Sequence, residues 1–372
     1  MRTAAVLVAL ACLLFGPAGA GAGAGANLAA PPLRDVDMVS ATTGWALTET
    51  ALLRTSDGGR TWVDRTPPGL HARLLEVGVG SVPFAFRGRR DGWLAVSLPG
   101  RVRVFRTGDG GAHWRSATVS PSKAAGLSSS DLALVLALDF VNGRDGWLLA
   151  SAGGVAAGSQ DVELYRTDDG GGSWTLLSAA TQQHPAPHGI PTIGIKTGVV
   201  FASPLRGFVT GYHGQVPGFA VYATADGGRS WQPLRLSLPH SYPASSAFPL
   251  TFPPTFTGAS GVLPTVWPNR RSVVLYRSGD RGAHWRPTTP LHTPGGDVPR
   301  GWSFPDATHG FVVTDTSFCT TTNAAHDWRC KPLPASRRDV TRLQFLNDRL
   351  GFELVHGRLF TTTNAGITWR LR

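Results

Sequence analysis

Seven copies of one short motif recur along this chain and limit the folds that it can adopt. In each copy an aspartate or asparagine is followed, five positions later, by tryptophan. A spacing of about 40 to 60 residues indicates a repeat architecture, in which each unit buries its apolar faces against its neighbours. The seven pairs are Asp57/Trp62, Asp109/Trp114, Asp169/Trp174, Asp226/Trp231, Asp280/Trp285, Asn323/Trp328 and Asn364/Trp369.

A glycine followed by an aromatic residue precedes most copies of the motif. These pairs are Gly44-Trp45, Gly92-Trp93, Gly146-Trp147, Gly207-Phe208, Gly310-Phe311 and Gly351-Phe352, and the fifth unit has Gly261-Val262 instead. Short β-branched and aromatic runs separated by turn residues predict four strands per unit, which we call A, B, C and D. Strand A is exemplified by residues 340–345, strand B begins at the glycine pair, and the motif lies between C and D. Seven such units predict an all-β fold, a seven-bladed β-propeller of four-stranded antiparallel blades.

The residue types of the motif suit a tight turn. We expect the Asp or Asn side chain to accept a hydrogen bond from the backbone two residues on, and glycine to supply positive φ. Tryptophan is large enough to fill the gap between neighbouring blades. The repeated acidic residues are therefore interpreted as structural and not as catalytic.

The pattern Ser/Thr-x-Asp-x-Gly-x-x-Trp resembles the Asp box, or BNR repeat, of sialidase-like propellers. The whole unit, with its Gly-Trp strand and Arg-Thr-x-Asp-Gly-Gly-x-x-Trp turn, more closely resembles the photosystem II stability/assembly factor family. The resemblance covers about residues 35 to 372. It implies the fold more strongly than a function, because such blades serve glycosidases, assembly factors and sorting receptors. Asn323, Asn364 and Ala325 depart from the pattern.

We expect residues 27–372 to form a single propeller domain. The predicted blades are about 35–68, 69–120, 121–180, 181–238, 239–290, 291–334 and 335–372. Residues 1–26 are interpreted as a signal peptide and a Gly/Ala-rich linker, because a short positive start precedes an apolar run and Ala18-Gly19-Ala20. The chain is then exported, to a secreted, periplasmic or cell-surface location, without a transmembrane segment in the mature part. An uncleaved anchor is the alternative.

Charge and cysteine content bear on partners and compartment. The formal net charge is +11, nearly all from arginine. Such a surplus is typical of chains that bind an acidic partner, anionic lipid or nucleic acid, and coding bias in a GC-rich genome is the alternative. Nucleic-acid binding is not expected, because the basic residues are scattered and the chain is predicted to be exported. Cys319 and Cys330 flank the sixth motif and predict a disulfide between strands C and D, which compensates for the weakened turn at Ala325.

Loop lengths predict which side of the disc carries function. In a four-strand meander the A–B and motif turns lie on one face and the longer B–C and D–A connections on the other. Variable loops on a rigid scaffold tend to carry binding sites, although these insertions are equally well interpreted as merely tolerated. The blade 3 connection is predicted to span residues 151–161. The candidate binding residues on blades 3 to 5 are His188, Tyr212, His213, Tyr242, Trp267, Arg270 and Arg271.

Two functions of different classes fit these observations. We favour an exported, non-catalytic, monomeric scaffold that binds a protein or glycan partner, without a cofactor or metal. The alternative is a secreted glycoside hydrolase, either with a Tyr nucleophile and Glu partner or with a carboxylate pair. Its candidate carboxylates are Glu49, Glu76, Glu163, Glu353, Asp131, Asp161 and Asp297. No spacing singles out a catalytic pair, and no histidine spacing indicates a metal site.

Overall fold

The computed structural model describes residues 31–70, 83–122, 133–156, 158–181, 188–214, 216–240, 242–243, 248–293, 297 and 299–372. The predicted signal peptide, Glu76 and Asp131 lie outside these residues. Within the described part no helix is long and apolar enough to cross a membrane.

Seven antiparallel sheets follow one another along the chain, each from one contiguous stretch. Blades 1 and 2 contain β1 (Asp35–Met38), β2 (Gly44–Leu47), β3 (Leu52–Thr55), β4 (Val63–Asp64), β5 (Phe84–Arg87), β6 (Asp91–Leu98), β7 (Arg101–Thr107) and β8 (Arg115–Val119). Blades 3 and 4 contain β9 (Val135–Phe140), β10 (Gly146–Ala156), β11 (Ser159–Thr167), β12 (Thr175–Ala180), β13 (Ile195–Phe201), β14 (Gly207–Tyr212), β15 (Val221–Thr224) and β16 (Gln232–Pro233).

The last three blades include the one irregular sheet. Blade 5 contains β17 (Leu250–Thr251), β18 (Thr255–Thr257), β19 (Ser260–Trp267), β20 (Ser272–Ser278), β21 (Arg286–Pro287) and β22 (Leu291–His292), with a 3₁₀ helix at Pro268–Arg270. Blades 6 and 7 contain β23 (Pro299–Ser303), β24 (Gly310–Thr314), β25 (Ser317–Thr321), β26 (Arg329–Pro332), β27 (Val340–Phe345), β28 (Gly351–Val355), β29 (Arg358–Thr362) and β30 (Arg370–Leu371), with a 3₁₀ helix at Ala335–Arg337.

These sheets confirm the predicted seven-bladed propeller. Six of them have four strands paired in sequence order, and blade 5 has six because its strand A is split into β17 and β18 and β22 is added. The prediction of a loop over residues 151–161 is wrong. The segment instead continues β10 and β11, which remain paired across a bulge between Ser151 and Val155.

Aromatic stacking joins four of the seven pairs of neighbouring blades. Between blades 7 and 1, Phe352 instead shares a buried cluster with Met38. The ring of Trp147, in strand B of blade 3, stacks on Phe201 at the end of strand A of blade 4, with centroids 3.6 Å apart. The glycine of the following pair makes room for this ring. A Cβ on Gly351, for example, would lie 2.6 Å from the ring of Phe345. Equivalent stacks join Trp45 to Phe86, Trp93 to Phe140 and Phe311 to Phe345.

Blade 5 departs from this pattern on both of its sides. Phe208 of blade 4 lies 5.7 Å from Phe256, and blade 5 itself offers Val262 in place of a ring. Val262 and Ala325 belong to the same buried cluster. At the preceding seam, a Cβ on Gly282, the equivalent of Ala325, would clash with the ring of Phe208. The smaller Val262 thus accommodates the methyl group of Ala325.

Replacing Val262 by Phe should reveal this compensation. Overpacking a close-packed core costs about 1–3 kcal/mol, and we expect Val262→Phe to lower the free energy of unfolding by that amount. Ala325→Gly in the same chain should restore at least half of the loss, because it removes the methyl group and suits the positive φ of 65°. Urea unfolding of both single variants and the double variant measures the coupling. Additive effects would contradict the compensation.

The Asp-box turn is held by side-chain bonds that differ in register from the prediction. Oδ1 of Asp57 accepts bonds from the backbone N–H groups of Arg60 and Thr61, three and four residues on, at 3.0 and 2.9 Å. The prediction of a bond to the residue two positions on is therefore wrong. Thr55 Oγ1 donates to Asp57 Oδ1 and accepts from the Gly59 N–H. Bonds from the side chain and backbone of Thr61 lower the pKa of Asp57 to about 2. The same bond from the backbone four residues on is accepted by Asp109, Asp169, Asp226, Asp280 and Asn364.

Asparagine and alanine occupy the sixth turn without changing its form. Asn323 Oδ1 still accepts from the backbone of Asp327, and its Nδ2 donates to the Asp327 carboxylate. Ala324 and Ala325 adopt positive φ, as the glycines of other copies do. The predicted disulfide is present, because Cys319 and Cys330 are directly opposed on β25 and β26 and are bonded.

The tryptophans of the seven motifs all pack on clusters that span two blades, as expected, but they differ in how deeply they are buried. Two of them, Trp231 and Trp285, are buried, with 3% and 7% of their surfaces exposed. The other five are only partly buried and pack against the side of a buried cluster: Trp62, Trp114, Trp174, Trp328 and Trp369. The physical reason is their position, because each tryptophan directly precedes strand D, the outermost strand of its blade. At the regular seams the interior is already occupied by the stacked rings of strands A and B.

Ring contacts show how the motif tryptophans pack at the seams. Trp174 packs edge-on against Phe140, with centroids 6.0 Å apart, and Trp369 packs edge-on against Phe345 at 5.9 Å. Both phenylalanines belong to the stacks between blades. The Trp114 indole Nε1 donates to the carbonyl of Arg65, at the end of blade 1, at 2.8 Å. The motif tryptophans therefore support the stacked rings from the side and cover the outer edge of each seam.

The innermost strands are joined by a second type of contact between blades. Near the end of strand A, a side chain accepts a hydrogen bond from a backbone N–H of the next blade. Asp139 Oδ2 accepts from Phe201 at 2.7 Å, and Ser303 Oγ accepts from Phe345 at 2.8 Å. Gln344 Oε1 accepts from Met38 at 2.8 Å. This last bond closes the ring between blades 7 and 1.

The pKa of Asp139 predicts a pH dependence of stability. Burial raises that pKa to about 6, against bonds from Phe201 and the charge of Arg87 that lower it. The folded chain therefore holds this proton more tightly than the unfolded chain, whose carboxyl titrates near 3.8. The contribution of Asp139 to the free energy of unfolding is therefore largest at low pH. It falls by up to about 3 kcal/mol as the pH rises through about 4 to 6.

Asp139→Asn isolates this contribution. The free energy of unfolding of the parent minus that of the variant should fall between pH 4 and pH 7, because the amide does not titrate. Urea unfolding at four pH values measures the difference. A constant difference across that range would show that the Asp139 carboxyl does not titrate as described.

Candidate functional site

Hydrogen bonds between turns define the two faces of the disc. In each blade the residue after the box Asp or Asn donates its backbone N–H to a carbonyl of the A–B turn. Gly58 bonds to Thr42 and Gly170 to Arg144, both at 2.8 Å. We call the side with these turns the box face. The side with the B–C and D–A connections is the variable face, and the candidate binding residues lie on it.

Three of the candidate residues meet on blade 5. The Tyr242 ring packs edge-on against Trp267, with centroids 4.8 Å apart, and the Arg270 guanidinium lies 5.3 Å from the Tyr242 centroid. Tyr242 Oη and Ser272 Oγ are 2.7 Å apart. Arg271 adopts a left-handed conformation, and both arginines are exposed. The structure thus presents two exposed arginines side by side, with Arg270 lying over the ring of Tyr242.

Trp267 supports this surface from below and does not form it. Its side chain is only 3% exposed, and it packs in the blade 5 core. Its Nε1 donates to Thr265 Oγ1 at 2.8 Å. Phe219, which the sequence did not single out, packs edge-on against the same indole. A binding role for Trp267 is therefore indirect.

A second group of residues lies where blades 3 and 4 meet. The Lys196 ammonium donates to the carbonyls of Thr192, Ile193 and Gly194 at 2.9, 3.1 and 2.8 Å. This segment in turn pairs with the blade 3 hairpin, because Gly194 donates to the carbonyl of Gly158. Burial lowers the pKa of Lys196 to about 7, and the charge of Asp161 opposes this shift. Lys196 therefore fixes the 192–194 segment in place.

His213, Tyr212 and His188 surround this segment without converging on one point. His213 Nε2 lies 3.0 Å from Tyr222 Oη, and burial followed by the charge of Lys196 lowers the pKa of the imidazole. Tyr212 ends β14 and is half-buried. His188 is exposed and left-handed, and its carbonyl accepts from Trp231. The blade 4 residues thus shape the surface separately from the blade 5 cluster.

Sequence reasoning missed Lys196, although a signal was present. The chain has only three lysines among its many arginines, and this one lies near the start of a predicted inner strand. A flexible ammonium can satisfy three carbonyls that converge from one short turn, whereas the planar fork of arginine cannot do so as readily.

Lys196→Met should destabilise the junction of blades 3 and 4. Methionine keeps the apolar stem but leaves three carbonyls without their donor, which costs about 1–3 kcal/mol or more. We expect a lower free energy of unfolding and faster amide exchange at Gly194. Hydrogen exchange followed by mass spectrometry compares the exchange rates of amides at this junction with those of amides in remote strands. Unchanged exchange over residues 188–197 would contradict the role of Lys196 as a clamp.

The described carboxylates of the glycosidase alternative all engage in bonds within the fold. Glu163 is 1% exposed, bonds to Ser122, and lies 2.5 Å from Tyr165 Oη. Burial and the Glu163 carboxylate raise the pKa of Tyr165, which is opposite to what a nucleophile needs. Buried Glu353 pairs with Arg337, and Glu49 pairs with Arg34.

The remaining carboxylates and possible metal ligands show no catalytic grouping. Asp297 accepts bonds from Thr314 and Thr316. Among the described residues, no three His, Cys, Asp or Glu side chains are grouped to hold a metal ion. The geometry therefore favours presentation of exposed arginines over carboxylate chemistry.

Comparison with known proteins identifies one similar sequence and several solved structures with the same fold. No family model matches the chain. Over 136 residues it is 30% identical to the photosystem II assembly lipoprotein Ycf48 of Synechococcus sp. strain CC9902. The match covers 36% of this chain and 32% of that protein, so it spans about a third of each.

Solved structures with the same fold include both assembly factors and enzymes. YCF48 from Cyanidioschyzon merolae is 18% identical with a TM-score of 0.58, covering 90% of this chain and 96% of that one. YCF48 bound to D1 peptide is 16% identical with a TM-score of 0.52, covering 78% and 81%. The GH74 enzyme of Niastella koreensis is 14% identical with a TM-score of 0.60, covering 91% and 53%. At these identities the likeness establishes the propeller fold.

Proposed function

We propose that this chain is an exported, non-catalytic scaffold whose variable face binds a polypeptide partner. The observation that carries the proposal is the exposed pair Arg270 and Arg271, of which Arg270 lies over the Tyr242 ring that packs on Trp267. Guanidinium groups recognise carboxylates through paired hydrogen bonds. A preordered side chain loses less conformational entropy on binding. An acidic segment of a protein partner fits this arrangement better than a neutral glycan.

The comparisons support the same proposal. A Ycf48 protein is named as an assembly lipoprotein, and a YCF48 structure is described as bound to a D1 peptide. We extend from them only the class of activity, which is binding of a polypeptide by a rigid propeller. The mature domain is proposed to be the monomeric propeller over residues 27–372, released by cleavage of residues 1–26.

The glycoside hydrolase alternative has weaker support. GH74 enzymes share the fold, but here the described candidate carboxylates form bonds within blades or between neighbouring segments. The pairing of Glu163 with Tyr165 is the arrangement nearest to a Tyr/Glu catalytic pair. Both residues are almost fully buried, with 1% and 4% of their surfaces exposed. A substrate has no access to them in this conformation.

Capture with paired variants tests the scaffold. The mature protein, its Arg270→Ala/Arg271→Ala variant and an Arg281→Ala/Arg286→Ala variant are used as bait in envelope extracts with a zero-length crosslinker. Arg281 and Arg286 are also exposed in blade 5, but Arg281 lies in its box turn and Arg286 begins the strand that follows. We expect a polypeptide that the parent and the box-face variant enrich at least tenfold and the variable-face variant does not. Crosslinked peptides should map next to residues 268–271.

Two results would contradict the proposal. Equal capture by all three proteins would show that binding does not depend on Arg270 and Arg271. Retention of polysaccharide alone, with release of reducing sugar by the parent and not by a Glu163→Gln variant, would support the hydrolase instead.

A further inference from the structure

A groove opens between blades 2 and 3 on the box face, on the opposite side of the disc from the proposed partner surface. Its volume is about 510 Å³. Trp93, Gly143 and Gly170 are among the residues that line it, and the side chains of Arg106 and Arg115 face it from blade 2. The lining therefore combines glycines, which have no side chain to cover the main chain, with charged side chains.

The groove is open because position 143 carries no side chain. A Cβ on the first box glycine meets the carbonyl oxygen of this A–B turn position in four blades: Gly58 meets Ala41, Gly110 meets Arg89, Gly170 meets Gly143 and Gly227 meets Pro204. Position 143 is thus equivalent to Ala41, Arg89 and Pro204. A Cβ on Gly143 itself would meet no atom within 4 Å. A side chain at this position would project into the groove without disturbing the fold.

Two arginines are opposed across the strands at the wall of the groove. Arg106 on β7 and Arg115 on β8 are direct cross-strand partners, and like charges in that position repel each other. Arg106 donates to the carbonyl of Asp169 at 2.7 Å. Arg115 is exposed and forms no ion pair with the part of the chain that the structure describes. An anion between the two guanidinium groups would relieve this repulsion.

Two aspartates also line the groove and equal the two arginines in number, so an excess of positive charge comes from the rest of blade 2. The Asp109 carboxylate is already engaged by Thr107 and by His113, whose Nδ1 lies 2.7 Å from Oδ2. Asp91 also lines the groove and is its second negative charge. Blade 2 as a whole is strongly basic, because residues 83–122 contain seven arginines and two aspartates.

We propose that this groove binds the carboxylate of a peptide, from an acidic side chain or from a chain terminus. The carboxylate would lie between Arg106 and Arg115, whose guanidinium groups match its two oxygens. The peptide backbone would pass over Gly143, where the missing side chain leaves room for a main chain. This site is separate from Arg270 and Arg271, and its assignment does not rest on the partner proposed for the variable face.

Calorimetric titration with three synthetic peptides tests the site. All are octamers of Gly and Ser: one has a free C-terminus, one is amidated with two internal Glu residues, and one is amidated without acidic residues. Titration at low and physiological salt should show binding of one or both carboxylate-bearing peptides and none of the neutral one. The two acidic peptides distinguish a terminal carboxylate from a side-chain carboxylate.

Variants locate the binding within the groove. Gly143→Leu fills the groove and Arg115→Gln removes one guanidinium, and each should weaken binding at least tenfold. Gly279→Leu is the matched control, because a Cβ there also meets nothing within 4 Å but lies in the box turn of blade 5. It should bind as the parent does. Binding unchanged in Gly143→Leu, or absent in the parent for both acidic peptides, would overturn the proposal.

Discussion

The stacking of an aromatic ring of one blade on a ring of the next is the interaction on which the rest of this structure depends. Each sheet is made from one contiguous segment, so no strand is shared between blades and side-chain packing joins their sheets. Stacked pairs such as Trp147 with Phe201 bury large apolar areas. The glycine of each pair is required because a Cβ would occupy the space of the ring. The repeat is therefore a packing unit between blades as much as a fold of one blade.

The seam around blade 5 shows how this constraint can be relaxed. Val262 replaces the ring, and Ala325 replaces the glycine that a ring would require in the following blade. The two departures from the repeat, considered separately in the sequence, are one packing adjustment in the structure. Blade 5 also has a divided strand A and an added strand. The same blade presents Arg270 and Arg271, so its irregularity coincides with the proposed partner surface.

The two faces of the disc differ in how readily their connections can change in length. On the box face, each Asp-box turn is bonded to the neighbouring A–B turn, as Gly58 is to Thr42. Short bonded turns tolerate few insertions, and the groove there arises from a missing side chain at Gly143. On the variable face, the connections differ in length. Binding surfaces of different kinds can therefore form on the two faces, one by loop variation and one by side-chain loss.

The sequence by itself determined the elements that repeat: the fold, the blade count and the side on which variable loops lie. The seven Asp/Trp pairs, the glycine pairs and the strand at 340–345 depend on local turn chemistry and alternation, which a sequence shows directly. The disulfide was also predictable, because Cys319 and Cys330 flank a hairpin turn. The register of the Asp-box bonds was not, because it depends on backbone dihedrals that residue types only restrict. Nor was the partial burial of most motif tryptophans, because a repeat does not show which of its two aromatic positions lies inside a seam.

Only the tertiary structure decided which candidate residues are accessible. Trp267 is buried because blade 5 packs around it, and Lys196 becomes a clamp because three carbonyls converge on its ammonium. The opposition of Arg106 and Arg115 depends on strand register, and the groove beside them on the adjoining blade. Such properties arise between segments distant in sequence, so a local pattern does not contain them.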